Sequence, residues 1–97
     1  MRPQRFACTA LAYRDRATRI LADVRGIAEL CVAQGRRYRI GVETQPPSSS
    51  IPSNTTFGDD GEGVLRRELA AVATRIAEPL FDGFAVHHLG SWRTMPP

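Results

Sequence analysis

The stretch "RYRIGVET" at residues 37–44 decides the fold class of this chain. It is rich in β-branched and aromatic residues and runs into a Pro-Pro turn, which is typical of a β-strand. Side chains alternate along a strand, so Ile40 and Val42 point to one face and Gly41 and Glu43 to the other. Glu43 therefore stands where an apolar strand meets a polar loop, either as an ordinary edge residue or as part of a site.

The segments on either side of this strand have the period of a helix. Their apolar residues recur four, three and four positions apart: Ile20, Val24, Ile27 and Cys31 before the strand, and Leu65, Leu69, Val72 and Ile76 after it. This spacing puts one apolar stripe on each of two helices, predicted over about residues 15–34 and 62–78. Asp15 is in position to be the N-cap of the first helix, and Gly35 to be its left-handed C-terminal stop.

Two further apolar runs complete the pattern. The run "FACTALAY" predicts a strand over about residues 6–13, and "GFAVHHL" predicts another over about 83–89. The order strand, helix, strand, helix, strand predicts an α/β fold, a β-α-β-α-β unit with parallel strands and right-handed crossovers. Residues 45–61 form a long polar loop, above the ~12–15 residues at which such loops become unusual in a compact domain. A single partial α/β domain is therefore expected.

One face of the predicted sheet lacks a cover. Parallel strands are normally buried on both faces, but with the strands in sequence order both helices lie on the same side. The side of Gly41 and Glu43 would then stay open, as would two strand edges. Another domain, a second copy of the chain or the rest of a closed barrel would complete the structure. In an eight-stranded barrel the open face is the interior, and the carboxyl ends of the strands point at the active site.

The carboxyl ends of all three predicted strands carry polar residues. These residues are Tyr13 and Asp15 after the first strand, Glu43 at the end of the second, and His87 and Trp92 at the end of the third. Because parallel strands end at the same edge of a sheet, we expect these side chains to share one pocket lip.

Four segments occur in order over about residues 6–93: "LAYRD", "IGVET", "TTFGDDGEGVLRRELAAV" and "GFAVHHLGSWR". As an ordered set they resemble the C-terminal part of glycoside-hydrolase-like (β/α)8 (TIM) barrel proteins. In such proteins a tyrosine-bearing sixth strand precedes a glutamate-ending seventh, and the eighth carries His and aromatic residues near the sugar site. The resemblance covers the last three strands. The five preceding strands, and with them the acid/base carboxylate that commonly lies on the fourth, have no counterpart here.

The resemblance implies a fragment of a carbohydrate-active hydrolase-like barrel, inactive alone, with a carbohydrate as its ligand. Glycoside hydrolysis generally needs two carboxylates, ~5 Å apart for retention or ~6.5–9.5 Å apart for inversion. Glu43 is the first catalytic candidate, as nucleophile or electrostatic stabiliser, and a structural glutamate that pairs with an arginine is an equal alternative. Asp15 is the second catalytic candidate, with helix capping as its simpler explanation.

Three further residues are candidates for binding the sugar. Tyr13 could hydrogen-bond a sugar hydroxyl or orient Glu43, and an ordinary strand-end tyrosine is the alternative. Alternation puts His87 and His88 on opposite sides of their strand, so only His87 is expected to face the site, with a structural role as its alternative. Trp92 is either a stacking platform for a sugar ring or a cap on the core.

Composition limits the expected partners and cofactors. All 13 basic residues are Arg, without interleaved aromatic residues, and the net charge is only +3, so nucleic-acid binding is not expected. Cys8 and Cys31 lack the spacing of a zinc site and are expected to be buried, so no metal is predicted.

The segment "GDDGEG" is neither a phosphate loop nor a calcium loop, and no cofactor is expected; Asp59 and Asp60 within it are expected to cap the second helix. No apolar run approaches the ~18 residues of a membrane span, which predicts a cytoplasmic protein without a membrane partner.

The open face also supports a second class of function. Without a barrel to complete it, the unit would be a small α/β interaction module that completes its sheet by dimerisation or by docking on a partner. Both interpretations stay open from the sequence, because each explains the uncovered face.

Overall fold

The structure, a computed structural model, describes residues 8–97 except for the side chain of Leu89. Residues 6 and 7 of the first predicted strand lie outside this range. The elements are β1 (Cys8–Leu11), α1 (Ala17–Ala33), β2 (Tyr38–Glu43), the 3₁₀ turn Ser53–Thr55, α2 (Glu62–Arg75), β3 (Phe81–His87) and α3 (Leu89–Arg93). The predicted β-α-β-α-β order is confirmed. The short helix α3 is an addition that the sequence analysis did not predict.

The strands form one sheet in the order β1-β2-β3, and both strand pairs are parallel. Leu11 lies opposite Gly41, and Gly41 lies opposite Ala85 on the third strand. Glu43 and His87 also face each other, as the last residues of β2 and β3. The carboxyl ends of these two strands therefore reach the same point of the sheet edge.

Both long helices pack on one face of the sheet. The buried core on this face joins residues of β1, α1, β2 and α2: Ala10, Ile20, Val24, Cys31, Ile40, Val42, Leu65 and Val72. Ile40 and Val42 are completely buried, as the alternation in their strand predicted. Full burial of one such side chain contributes about 1.5–3 kcal/mol, so this face supplies most of the stability of the fold.

The opposite face of the sheet is marked by Leu11, Gly41 and His87. A Cβ atom on Gly41 would lie 3.0 Å from a methyl carbon of Leu11 and 3.1 Å from Cε1 of His87, so these two side chains flank the bare glycine. The Leu11 side is open, because this residue is 53% exposed. The α/β unit with both helices on one face is what the sequence predicted, whereas the exposed Leu11 on the other face was not predicted.

The C-terminal end of α1 is stabilised locally. Gly35 has a φ of 67°, in the left-handed region that glycine adopts without strain. Its N–H donates to the carbonyl of Val32 at 2.9 Å, and the N–H of Arg36 donates to the carbonyl of Cys31 at 3.0 Å. This pair of hydrogen bonds is a Schellman motif, and it confirms Gly35 as the stop of the helix.

The start of α1 corrects the prediction that Asp15 is its N-cap. The N-cap residue is Arg16, which makes no capping hydrogen bond with its side chain. Instead, the first helical N–H, that of Ala17, donates to Oε1 of Glu68 on α2 at 3.0 Å. A carboxylate from the neighbouring helix thus satisfies a donor that a local cap would otherwise serve, and it also complements the helix dipole.

The start of α2 corrects a second prediction, that Asp59 and Asp60 cap this helix. The N-cap residue is Gly61, with a φ of 91°, and no side chain caps it. The N–H of Glu62 donates to the carbonyl of Pro96 at 2.7 Å, so the C-terminal segment supplies the acceptor. The helix ends at Arg75, before the predicted end near residue 78.

The long loop between β2 and α2 is pinned to the end of β2. Phe57 is completely buried, and its N–H donates to the carbonyl of Glu43 at 2.9 Å. The hydroxyl of Thr56 donates to the carbonyl of Gln45 at 2.6 Å. Gly58 packs so closely on this backbone that a Cβ atom would overlap the Gln45 carbonyl. The loop therefore fixes how the chain leaves Glu43.

The two cysteines are free thiols, and Cys31 is buried. Burial, together with the neighbouring thiol of Cys8, raises the pKa of Cys31 to about 11. The Cys31 thiol therefore stays protonated at neutral pH and packs as a small apolar side chain, which is the role that the sequence predicted.

Candidate functional site

Glu43 ends β2 as a buried carboxylate, its side chain only 7% exposed. Its Oε1 atom accepts the backbone N–H of Thr44 at 2.9 Å and that of Gln45 at 3.0 Å, because the chain turns sharply after the strand. The same oxygen lies 2.6 Å from Nδ1 of His88. A buried carboxylate costs free energy unless it is hydrogen-bonded, and Oε1 of Glu43 has three such partners.

His88 reaches Glu43 because its backbone is left-handed. Its φ is 66° and its ψ is 70°, and it is the only non-glycine residue of the described range with a positive φ. This conformation costs about 1–2 kcal/mol for a residue with a Cβ, although histidine tolerates it better than most. The turn swings His88 to the side of Glu43, so the prediction that only His87 faces the site is wrong.

The contact between Glu43 and His88 fixes where the imidazole carries its proton. An ionised carboxylate accepts hydrogen bonds and donates none. Since Oε1 already accepts two backbone N–H groups, Nδ1 of His88 must be the protonated donor in this contact. The Nε2 atom of the neutral ring is then left with its lone pair free, on a side chain that is 47% exposed.

Tyr13 and His87 form a second contact at the same edge. The hydroxyl of Tyr13 lies 2.7 Å from Nδ1 of His87, and the two rings meet edge to face with their centres 5.7 Å apart. Burial, and then the negative charge of Glu43, raise the pKa of Tyr13 above its ordinary value, so the phenol stays protonated at neutral pH. Because Glu43 and His87 face each other at the ends of β2 and β3, the two contacts form one polar cluster, which we call the strand-end cluster: Tyr13, Glu43, His87 and His88.

Thr44 stabilises this cluster, a role that the sequence does not indicate. Its side chain is almost fully buried, and its hydroxyl lies 2.7 Å from the carbonyl of His87 and 3.1 Å from that of His88. The hydroxyl thus ties the end of β2 to the turn that carries His88. A threonine directly after a strand-end glutamate gives no signal of this role in the sequence, because its partners are residues of another strand.

Asp15 lies in a different cluster. Its Oδ2 atom is 3.4 Å from a guanidinium nitrogen of Arg16, and the same nitrogen lies 3.9 Å from Oδ2 of Asp60. Burial, together with Asp15, raises the pKa of Asp60 to about 6, because two neighbouring carboxyl groups share a proton more easily than they carry two charges. No hydrogen bond or ion pair within residues 8–97 joins Asp15 to Glu43.

Trp92 lies on α3 rather than at the mouth of a strand. Its ring packs against the edge of the core, and with Glu62, Arg93 and Met95 it lines a cavity of about 270 Å³. Its backbone N–H donates to the carbonyl of His88 at 3.0 Å, so the helix that carries Trp92 begins at the strand-end cluster. Its role as a stacking platform stays a prediction.

A larger cavity than the one beside Trp92 lies at the other end of the sheet. This groove of about 600 Å³ runs between α1 and the segment after α2, with Tyr38 at its floor and apolar residues such as Val24, Val32 and Ile76 along it. Tyr38 begins the strand that Glu43 ends, so the groove and the strand-end cluster are separate features.

Within residues 8–97, no group of three or more histidine, cysteine or carboxylate side chains is placed to hold a metal ion. In the same range no helix has the length and apolar character needed to cross a bilayer. Comparisons of the chain with protein-family models, with curated proteins and with solved structures found no match. The chemistry of the strand-end cluster therefore rests on its own geometry.

Proposed function

We propose that the chain supplies part of the sugar site of a carbohydrate-active hydrolase-like barrel, as its resemblance to those proteins implies. The observation that supports this proposal best is the strand-end cluster, in which Tyr13, Glu43 and His87 follow or end three parallel strands and His88 joins them. Polar side chains gathered at the carboxyl ends of parallel strands are how barrel enzymes build their active sites. Hydroxyl, imidazole and carboxylate groups are also suited to hydrogen-bond the many hydroxyls of a sugar.

In this proposal Glu43 is an electrostatic stabiliser rather than a nucleophile. Its Oε1 atom is held by two backbone N–H groups and by His88, and its side chain is only 7% exposed, so a sugar carbon has little access to the carboxylate. The charge it keeps would stabilise the positive charge that develops on a sugar ring during hydrolysis. Asp15 lies in the separate cluster with Arg16 and Asp60, so Glu43 is the single carboxylate of the strand-end cluster, and the chain alone is expected to be inactive.

Sugar binding by the chain itself tests this proposal. The backbone amide signals in ¹H–¹⁵N NMR spectra would be followed while neutral mono- and oligosaccharides are added. We expect millimolar dissociation constants, which correspond to only about 4 kcal/mol, and shifts confined to residues around Thr44, His87 and His88. Glu43→Gln should weaken binding about tenfold or more, since a hydrogen bond to a charged group contributes about 1.5–3 kcal/mol.

Glu29→Gln is the matched control, because Glu29 is 73% exposed on the outer side of α1 and should leave the titration unchanged. Shifts that spread over the helices, or that survive Glu43→Gln unchanged, would refute sugar binding at the cluster. So would the absence of any shift at tens of millimolar sugar.

A second candidate function is an interaction module, and the open face of the sheet favours it. Leu11 is 53% exposed on that face, and β1 and β3 each have an unpaired outer edge. Exposed apolar surface next to an open edge is a typical feature of surfaces that bind another chain.

Sedimentation velocity measures this second function directly. If the face pairs with a second copy, the weight-average sedimentation coefficient rises with concentration, and Leu11→Ser reverses the rise. Leu30→Ser is the control, because Leu30 is 60% exposed on α1, away from this face. A concentration-independent monomer, or equal effects of the two variants, would remove self-association through this face as the function.

A further inference from the structure

We propose that His88 is the proton-transferring residue of the strand-end cluster, and that Glu43 is the positioning residue that acts through it. The proposed function supplies only the class of molecule that would receive or lose the proton. The arrangement of the two side chains stands on its own contacts, and it has consequences that can be measured without a sugar.

The first observation is the direction of the Glu43 to His88 contact. At 2.6 Å, Nδ1 of His88 donates to an oxygen that already accepts two backbone N–H groups, so the carboxylate holds the imidazole in the Nδ1–H form. The other ring nitrogen, Nε2, then carries the free lone pair. A carboxylate that holds Nδ1–H and leaves Nε2 free is the arrangement that makes an imidazole an effective general base.

The second observation is the difference in exposure. The side chain of Glu43 is 7% exposed and that of His88 is 47% exposed, so a bound molecule reaches the imidazole more easily than the carboxylate. Glu43 is therefore placed to act through His88. His88 is placed to contact the bound molecule itself.

The third observation is the strained backbone at His88. A left-handed φ of 66° at a residue with a Cβ persists only where surrounding contacts hold it. Two such contacts are present, the Glu43 carboxylate on the side chain and the Thr44 hydroxyl near the carbonyls of His87 and His88. Strain of this kind concentrates at functional sites, because it fixes a side chain in a position that a relaxed backbone would not give.

The groups that surround the imidazole of His88 come from all three strand ends. Glu43 on β2 is negative and in direct contact with it, while Tyr13 after β1 is held as a neutral phenol by burial and by that same charge. His87 on β3 is turned toward Tyr13. When His88 becomes an imidazolium, its charge therefore forms an ion pair with Glu43.

The proton step balances within these groups. The Nε2 lone pair of His88 takes a proton from a water molecule or a sugar hydroxyl, so that an N–H bond forms as the O–H bond breaks. The electron pair of the broken bond stays on the oxygen, which becomes the stronger nucleophile. The positive charge stays on the imidazole next to the Glu43 carboxylate, and the reverse transfer restores the neutral ring.

The tautomer of each histidine ring tests the proposal. With ring-¹⁵N-labelled histidine, NMR distinguishes a protonated Nδ1 from a protonated Nε2 in the neutral imidazole. We expect the Nδ1–H form for His88 in the wild-type chain, and the Nε2–H form to gain population in Glu43→Gln. His87 is the internal control, because its partner is Tyr13 and its signals should keep the wild-type pattern in this variant.

The reactivity of Nε2 gives a second readout that a purely structural contact would not change. Diethyl pyrocarbonate modifies the unprotonated nitrogen of an imidazole, and mass spectrometry of the peptide containing residues 87 and 88 follows each site. We expect Glu43→Gln to slow modification of His88 roughly tenfold, an effect comparable to the loss of activity when the carboxylate that orients a metal-bound histidine is removed. Glu43→Asp, which keeps the charge, should restore part of the rate.

An Nε2–H form of His88 in the wild-type chain would overturn the proposal, even if Glu43→Gln did not fold. A His88 modification rate that is the same in the wild type and in a folded Glu43→Gln would overturn it as well. The expected tautomer without any sugar binding would instead refute the carbohydrate function and leave the role of His88 standing.

Discussion

The Oε1 atom of Glu43 lies 2.6 Å from Nδ1 of His88, although the alternation of β3 would turn His88 away from it. The left-handed backbone at His88 explains the contact, since it ends the alternation one residue after the strand. Tyr13 and His87 meet 2.7 Å apart at the same edge. Two imidazoles, a phenol and a carboxylate thus come together, where the sequence predicted the same phenol and carboxylate with only one of the two histidines.

Thr44→Val should loosen the turn that presents His88. The change keeps the shape of the side chain but removes the hydroxyl that serves the carbonyls of His87 and His88, so we expect a loss of about 1–2 kcal/mol in the free energy of unfolding. Urea denaturation measures it. Thr18→Val on the exposed side of α1 is the control and should change stability by less than about 0.5 kcal/mol. Equal effects of the two variants would contradict the role of Thr44.

Gly58→Ala should disrupt the anchored loop. A Cβ at residue 58 would overlap the Gln45 carbonyl, which belongs to backbone that cannot rotate away. We expect destabilisation of about 2 kcal/mol or more in thermal or urea unfolding. Gly26→Ala is the matched control, because nothing lies within 4 Å of the added methyl and alanine favours the helix by about 1 kcal/mol. A Gly58→Ala chain as stable as the wild type would show that the loop does not pack on Gln45.

The pair Asp15 and Asp60 should make stability depend on pH. The folded chain holds the Asp60 pKa near 6, above its ordinary value of 3.8. The stabilisation from the protonated form is therefore complete below about pH 4 and is lost as the pH rises through about 6, which amounts to about 3 kcal/mol. Asp60→Asn cannot ionise, so it should become the more stable chain relative to the wild type as the pH rises from 4 to 7. If the difference in free energy of unfolding between Asp60→Asn and the wild type stayed constant from pH 4 to 7, the raised pKa of Asp60 would be refuted.

The parts of the fold that the sequence predicted are those whose causes are local. Alternation in β2 places Ile40 and Val42 in the core because burial and strand geometry act on each residue directly. Gly35 stops α1 because a left-handed turn is a property of a few neighbouring residues. The helix starts were not predictable in the same way, since the partner of Ala17 is Glu68, which lies 51 positions further along the chain.

The same difference between local and long-range causes decides which parts of the candidate site could be predicted. Glu43 was identifiable as a carboxylate at a strand end, and parallel pairing was enough to bring it to His87. The role of His88 depends on its left-handed backbone, and that of Thr44 depends on contacts between strands. Neither feature could be predicted from the sequence alone. The one available signal was the residue type, because histidine is among the non-glycine residues that adopt a left-handed backbone more readily.

A double-mutant cycle between Glu43 and His88 tests the strand-end cluster most directly. The free energies of unfolding of the wild type, Glu43→Gln, His88→Asn and the double variant give the coupling between the two side chains, and Asn at position 88 tolerates the left-handed backbone. The structure predicts a favourable coupling of about 1–2 kcal/mol near neutral pH, as for a hydrogen bond to a partly buried charge. A coupling of zero, within about 0.3 kcal/mol, would mean that the two side chains do not interact, and the account of the cluster would fail.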